Sequence, residues 1–258
     1  MFFHLVWLNI KARLQYGRSF LYEMIASIAG YALEFVAVWI IINQFGTIGG
    51  WTFFEILFLH SMGYFVRATA SAFLWDPMWV MSYYMKNGQM DKFFVAPRNA
   101  FVYLVGRHFI AWALSHVILG AATMAITLFF LPIYWTLLKV LLFICALMGA
   151  LLIYGSFIVF SGAISFWTFS SDAFLRVLTN SWNVINWPMS FYPRGMQIIL
   201  TFFIPFALIN YYPTIFLLDK RGAGEWIMLG ILGVGLLLFG AMYKLWWLGV
   251  TRYQGAGS

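Results

Sequence analysis

The chain has 258 residues, of which 64% are hydrophobic and 9% charged, with 28 Phe, 14 Tyr, 13 Trp and a formal net charge of +7. A soluble domain is about half apolar and about a quarter charged, so this composition excludes a water-soluble fold and points to an all-α integral membrane protein. The excess of base is read as retention of loops on the inner side of a membrane, not as affinity for nucleic acid, and the single Cys145 excludes an intrachain disulfide.

In chain order, residues 1–19 set Phe2, Leu5, Val6, Leu8 and Ile10 against Lys11, Arg13 and Arg18. This is the pattern of an amphipathic helix lying in the inner interface, with a plain basic flank as the alternative. The first long apolar run begins near Phe20 and is long enough to span, so no cleavable signal peptide is expected. A span needs roughly 20 mostly apolar residues, which gives candidates at 20–43, 52–75, 101–131, 135–167 and 226–250 and a weaker one near 172–191. The stretch 196–218 is apolar but interrupted by Pro205, Pro213 and the polar run Asn210-Tyr211-Tyr212. It reads as a re-entrant segment between spans five and six, because irregular backbone at membrane depth must be covered by protein. Lys11, Arg13 and Arg18, then Lys86, Lys92, Arg98 and Arg107, then Lys244 and Arg252 fall on one side of six spans, while loops 44–51 and 132–134 carry no base. Both termini are therefore expected inside. Lys220 and Arg221 fall on the wrong side, offset locally by Asp219 and Glu225.

Polar residues inside the spans line up. Glu23, Ser27, Gly30 and Glu34 share one helix face, and His60, Tyr64, Arg67 and Ser71 repeat the same spacing. A charge near mid-bilayer costs at least about 2.5 kcal/mol and should face protein or a watery cavity. Arg67 lies about two turns from the inner end of its expected span, near enough to snorkel. Glu34 reads as a substrate-path or proton-coupling carboxylate, or as a polar anchor at an interface. His108 and His116 are expected on one face of span three, but a metal would need a third ligand and none is near in sequence. Gly149, Ser156 and Ala163, then Gly155 and Gly162, and Gly230, Gly233, Gly235 and Gly240 are small residues that let helices approach closely in lipid. Asp172 and Arg176 are spaced for an interfacial ion pair.

The longest polar interruption is Lys86-Asn87-Gly88-Gln89-Met90-Asp91-Lys92-Phe93-Phe94-Val95-Ala96-Pro97-Arg98. Met90, Phe93 and Phe94 offer an apolar face and Lys86, Asp91 and Lys92 a charged one, as a short helix filling a partner's groove requires. A helix lying on lipid headgroups is the other reading, and an Asp between two Lys argues mildly against it. No Gly is followed by Lys, so the chain has no phosphate-binding loop, and it has no zincin motif and no nucleophile elbow. ATP energy, if used, must come from another polypeptide. A secondary transporter or channel built on Glu34 and Arg67, and an intramembrane enzyme using His108 and His116, are the readings that need no such partner.

Gly88-x-Met90-Asp91-x-Phe93-Phe94-x-x-Pro97 resembles the coupling-loop motif of the ABC-2 family of ABC-transporter permeases. Trp187-Pro188, Tyr192-Pro193, the run from Leu200 to Ala207 and Asn210-Tyr211-Tyr212-Pro213 resemble the segment after span five in one bacterial branch of it. Ala96 stands where many relatives carry Arg, and Arg98 is the neighbouring source of that charge. The resemblance implies a single permease domain, 1–258, with an interfacial helix at 1–19, a cytoplasmic coupling loop at 76–100 and a re-entrant, extracytoplasmic segment at 192–225. It implies a non-catalytic, multi-pass subunit of the bacterial cytoplasmic (inner) membrane with both termini cytoplasmic. No cofactor is expected in this chain. Two copies of a separate ABC ATPase subunit would bind ATP and Mg, and a second permease, identical or paralogous, would complete the assembly among membrane lipids. Lys86, Gly88, Gln89, Met90, Asp91, Lys92, Phe93 and Phe94 would couple to the ATPase. Glu23, Ser27, Gly30, Glu34, Tyr64 and Arg67 would line the translocation path or dimer interface. Pro205, Asn210, Tyr211, Tyr212 and Pro213 would form the re-entrant gate. The implied activity is export of an amphipathic or hydrophobic cargo, drug-, lipid- or glycan-like.

Overall fold

Lipid offers peptide groups no hydrogen-bond partner, so a chain this apolar must satisfy its backbone within helices. A computed structural model describes residues 2–15, 17–95, 99–181 and 186–253, without the side chains of Leu14, Ser19, Phe20, Glu34 and Phe45. Among the described residues the chain is helical, and the only pairing of extended backbone is an isolated bridge between Ile48 and Trp51. The elements are α1 (Phe2–Leu14), α2 (Gly17–Phe45), α3 (Phe53–Lys86), α4 (Asp91–Phe94), α5 (Ala100–Arg107) and α6 (Ala113–Phe130). They continue with α7 (Leu137–Thr168), α8 (Asp172–Asn180), α9 (Arg194–Ile198), α10 (Tyr211–Leu217) and α11 (Glu225–Arg252).

Four of these helices, α2, α6, α7 and α11, are long and apolar enough to cross a membrane, and a fifth crossing counts if Arg194–Phe203 and Phe206–Leu217, bent by 77°, form one span. The 34-residue α3 is long enough but carries Glu55, Arg67 and Asp76 and falls short in apolarity. Its position explains this. Phe58, Met62, Val66, Met78 and Met81 are fully buried, in a helix flanked by α6 and α7, so little of α3 has to be compatible with lipid.

Side-chain pairings fix the helix directions. Phe58 packs on Phe143 at 6.2 Å between centroids, and Leu74 and Met78 lie against Gly155 and Gly162, so α3 and α7 run parallel. Gly149 faces Ile231 and Gly235, and Phe166 faces Gly249, so α7 and α11 are also parallel. Phe54 stacks on Phe130 at 4.7 Å and Tyr31 on Tyr64 at 4.3 Å, so α6 and α2 run against α3. One end of the bundle thus carries α1, α4 and the C-terminus of α11; the other, the far end, carries the starts of α3, α7 and α11.

Because α7 and α11 are parallel, residues 169–224 must return between them. Ser171 donates its N–H to Ser82 Oγ at 2.7 Å near the α4 end, whereas Trp51 Nε1 donates to Ser190 Oγ at 3.1 Å at the far end. The chain then dips, placing Phe206 on Phe157 at 5.2 Å well inside α7. It comes back through Ile215, which clusters with Trp51, Ile56 and Leu59. Asp219 closes the excursion on Lys139 Nζ at 2.7 Å, and Lys220 Nζ binds Glu55 Oε2 at 2.7 Å. Lys220, expected to be offset by Asp219 and Glu225, is instead paired with Glu55, and Asp219 with Lys139.

Several expectations need correction. The run 101–131 is not one helix: residues 108–112 separate α5 from α6, and Ile110 donates its N–H to the carbonyl of Ala72 at 2.8 Å. That acceptor adjoins Phe73, whose carbonyl has lost its helical donor to Pro77. His108 and His116 consequently do not share a helix face. Pro213 breaks nothing, because it lies in the first turn of α10, where no N–H is needed; Pro205 does sit at the 77° bend. Residues 76–86 continue α3 rather than opening the loop. Arg67 is then 19 residues from Lys86, roughly 28 Å along the axis at 1.5 Å per residue. Asp172 and Arg176 form no ion pair among the described residues.

Helix α1 turns a half-buried stripe of Phe2, Leu5, Val6, Asn9, Ile10 and Arg13 to the bundle and leaves Phe3, Trp7 and Leu8 exposed. Phe2 and Leu5 sit on Gly106, and Asn9 Nδ2 donates to the carbonyls of Gly106 and Arg107 at 3.3 Å, closing the C-terminal end of α5. Within the segment 1–19, residues 2–14 are helical, and this helix carries apolar side chains on its outward face as well as on its docked one.

Candidate functional site

The first candidate element is the turn from α3 into α4. Helix α3 ends in a Schellman arrangement: Gly88 takes φ +60° and donates to the Met85 carbonyl at 3.2 Å, while Gln89 donates to the Tyr84 carbonyl at 2.8 Å. The chain is folded back so that Met90 and Phe93 are fully buried. Phe93 packs on Tyr84 and Tyr103 at 5.2 and 5.6 Å, and Phe94 on Tyr253 at 5.5 Å. Met90 and Phe93 are therefore not the docking face expected of them; they anchor the loop to its own bundle. The surface left for a partner is polar: Lys86, Asn87, Gln89, Asp91 and Lys92 are exposed, with Val95 as its apolar point at 81% exposure. Ala96, Pro97 and Arg98 lie outside the described residues.

Polar contacts tie this surface to the bundle. Lys92 Nζ sits 4.1 Å from the centroid of the Tyr84 ring. Tyr84 Oη meets His108 Nε2 at 3.0 Å, and His108 Nδ1 meets Asp76 Oδ2 at 3.0 Å. Burial pushes the Tyr253 phenol up from its ordinary pKa, and the nearby Asp91 charge adds to it.

The second element is a pair of adjoining cavities. A groove of about 820 Å³ opens between α1, α3, the 108–112 break and α8, lined by Arg13, Trp75, Asp76, Trp79, Trp112 and Arg176 among others. It shares Trp75, Ile110, Trp112 and Thr179 with a deeper cavity of about 200 Å³ that holds Tyr64, Arg67, Ser71, His116 and Tyr154.

The polar faces expected on spans one and two meet here through His116, which the sequence offered only as a metal or catalytic candidate. His116 Nδ1 hydrogen-bonds Tyr64 Oη, and its Nε2 lies 3.3 Å from Ser27 Oγ. Arg67 rests over the Tyr64 ring with its guanidinium carbon 5.4 Å from the centroid. Glu23 pairs with Arg13 of α1. Gly30 faces open space, and the side chain of Glu34 lies outside the described part of the structure. Among the described residues no group of three His, Cys, Asp or Glu is placed to hold a metal. The sequence held one signal for His116, which is the one titratable residue of α6. It marked Arg176 only as half of an ion pair with Asp172, and nothing in it marked Trp112 or Thr179.

Of the expected gate residues, Asn210 precedes α10 and its Nδ2 donates to the Leu59 carbonyl at 3.1 Å from a fully buried position. Tyr211 packs against Trp51 at 6.0 Å and against Tyr212 at 5.4 Å, and Pro213 is buried. Pro205 lies apart from these, at the bottom of the dip.

Residues 28–257 match the family model described as ABC-2 family transporter protein. No curated protein and no solved structure matches the chain.

Proposed function

Since this chain belongs to the ABC-2 transporter family, a transport permease of the membrane, we propose that it is the non-catalytic membrane subunit of an ATP-driven exporter. A separate ATPase, present in two copies with a second permease completing the assembly, docks on the surface around α4. The observation that carries this reading is the way that surface is built. Its apolar residues Met90 and Phe93 are spent on the chain's own core, and its charged residues face out on a turn locked to the end of α3. A patch meant only for lipid headgroups would keep its apolar residues outward. A rigid, mixed-charge knob suits a groove in a water-soluble partner.

The helix directions support six crossings. In this reading 172–191 makes the fifth and 192–218 is re-entrant, with Pro205 at its deepest bend and Asn210 bonding it to α3. Both termini then lie with α4 on the cytoplasmic side of the inner membrane. The cargo is amphipathic or hydrophobic, and the groove and deeper cavity are its entry route.

Copurification with the cognate ATPase in nanodiscs tests the docking. Asp91→Lys with Val95→Asp, both on exposed positions, is expected to lower ATPase capture at least tenfold while leaving the permease's elution profile unchanged. Undiminished capture would refute docking at α4. Transport by the chain without any ATPase would return it to the reading of a secondary transporter or channel built on Glu34 and Arg67.

A further inference from the structure

We infer that Asp219 and Lys220 form an ion-pair latch that straps the excursion 192–224 across the far end of the bundle, and that releasing the latch opens that end. Its use as the exit step for cargo rests on the transport reading above; the latch itself does not.

The two residues are neighbours in the chain and are held to different helices. Asp219 accepts Lys139 Nζ at 2.8 and 2.7 Å on its two carboxylate oxygens, and Lys139 is the third residue of α7. Lys220 Nζ donates to Glu55 Oε2 at 2.7 Å, and Glu55 is the third residue of α3. The same ammonium lies 4.0 Å from the centroid of the Trp51 ring and donates to the Gly50 carbonyl at 3.3 Å. One dipeptide thus ties the end of the excursion to the starts of both α3 and α7. The aim comes from the way α10 ends. Asp219 takes φ +53° and donates to the Phe216 carbonyl at 3.2 Å, while Lys220 donates to the Ile215 carbonyl at 2.9 Å. This left-handed cap sets the two side chains toward different helices.

The strap is also built to move. Behind it a cavity of about 300 Å³ lies between Ile204 and Phe206, at the bottom of the dip, and Leu238 and Met242 of α11. The backbone at the dip is irregular. Ile204 donates to the carbonyl of Ile199, five residues back, at 2.8 Å, and Pro205 sits at the 77° bend. Wide turns and prolines are where helices bend. At the other end Gly222 takes φ +110°, and a Cβ on Gly224 would meet open space. Between these two flexure points the closing contacts are ion pairs at the protein surface, which are individually weak and can break without unfolding what they join. Thr214 and Ile215 lie buried beneath, Ile215 against Trp51, Ile56 and Leu59. Lifting the strap uncovers this face and leaves the contact of α7 with α11 in place.

The test uses the full chain carrying Cys145→Ser in nanodiscs without ATPase, so that failure of the latch and failure of ATPase docking are read apart. Thr214→Cys, close in size to the residue it replaces, reports the strap. Ser161→Cys, equally buried in α7, reports the rest of the bundle. Each is reacted with a charged methanethiosulfonate and its rate of modification measured. Lys139→Gln with Lys220→Gln should raise the rate at Thr214→Cys about tenfold and leave Ser161→Cys protected, as a local opening would. Lys139→Arg with Lys220→Arg keeps both charges and should leave both rates low. Raising NaCl from about 0.01 M to about 1 M shortens the screening length from roughly 30 Å to 3 Å. That change should speed the reaction at Thr214→Cys while the pairs are intact, and not in the Gln variant. Equal rates with and without the two lysines would overturn the latch. A matching rise at Ser161→Cys would mean loss of the whole fold and would overturn it as well.

Discussion

At the scale of single residues, the α3–α4 turn depends on Gly88. Its φ of +60° lies in the left-handed region, and a Cβ there would meet nothing within 4 Å. Gly88→Ala therefore isolates the conformational cost, about 1 kcal/mol, and Gly88→Asn should cost less; denaturant midpoints in detergent read both. Tyr84 makes a different contribution. Its hydroxyl links the α4 knob, through His108, to Asp76 on the wall of the groove. Tyr84→Phe keeps the ring packing, so stability should change by no more than about 1 kcal/mol and ATPase capture should persist. ATP-driven transport should fall if this bond carries motion from the knob to the groove. Assaying capture and transport on the same preparation separates the two effects.

At the scale of elements, α7 and α11 meet backbone to backbone. A Cβ on Gly235 would fall 2.5 Å from the Gly149 carbonyl oxygen, and one on Gly149 would fall 2.5 Å from that of Ile231. No rotamer change relieves a clash with backbone, so Gly235→Ala should cost about 3 kcal/mol. Gly230→Ala and Gly240→Ala meet open space and should be neutral or gain up to about 1 kcal/mol in helix propensity. Thermal unfolding of the three variants in one detergent checks the contrast. The small-residue pattern announced that close packing occurs, but not which glycines make it, because that depends on the rotation of one helix against the other. The apolar runs likewise revealed that α2, α7 and α11 exist. They hid the break at 108–112, which rests on the bond between Ile110 and Ala72, two residues that carry no local signal for it.

At the scale of the whole molecule, the charge pattern read along the chain missed which charges pair in space. Lys220 was matched in sequence with Asp219 and Glu225, but its partner in space is Glu55, 165 positions away. The loop after α3 was legible as an interruption, yet two of its apolar residues, Met90 and Phe93, belonged to the core, since only the Gly88 turn decides which way they face. The cavity was half legible. Ser27, Tyr64 and Arg67 were marked by their polarity, whereas Trp75 and Trp112 were hidden among 13 tryptophans.

The parallel course of α7 and α11 also bears on the order of assembly. Antiparallel neighbours joined by a short turn can close as soon as both have entered the membrane, but parallel neighbours cannot. The chain must first complete the whole return from Phe169 to Gly224, including its excursion to Phe206 and back, before Gly235 can reach Gly149. This contact is non-local and pays its loop-closure entropy late. The seam between α7 and α11 is thus the last part of the bundle to form, and a chain stalled before Glu225 would present the glycine face of α7 bare to lipid or to another subunit.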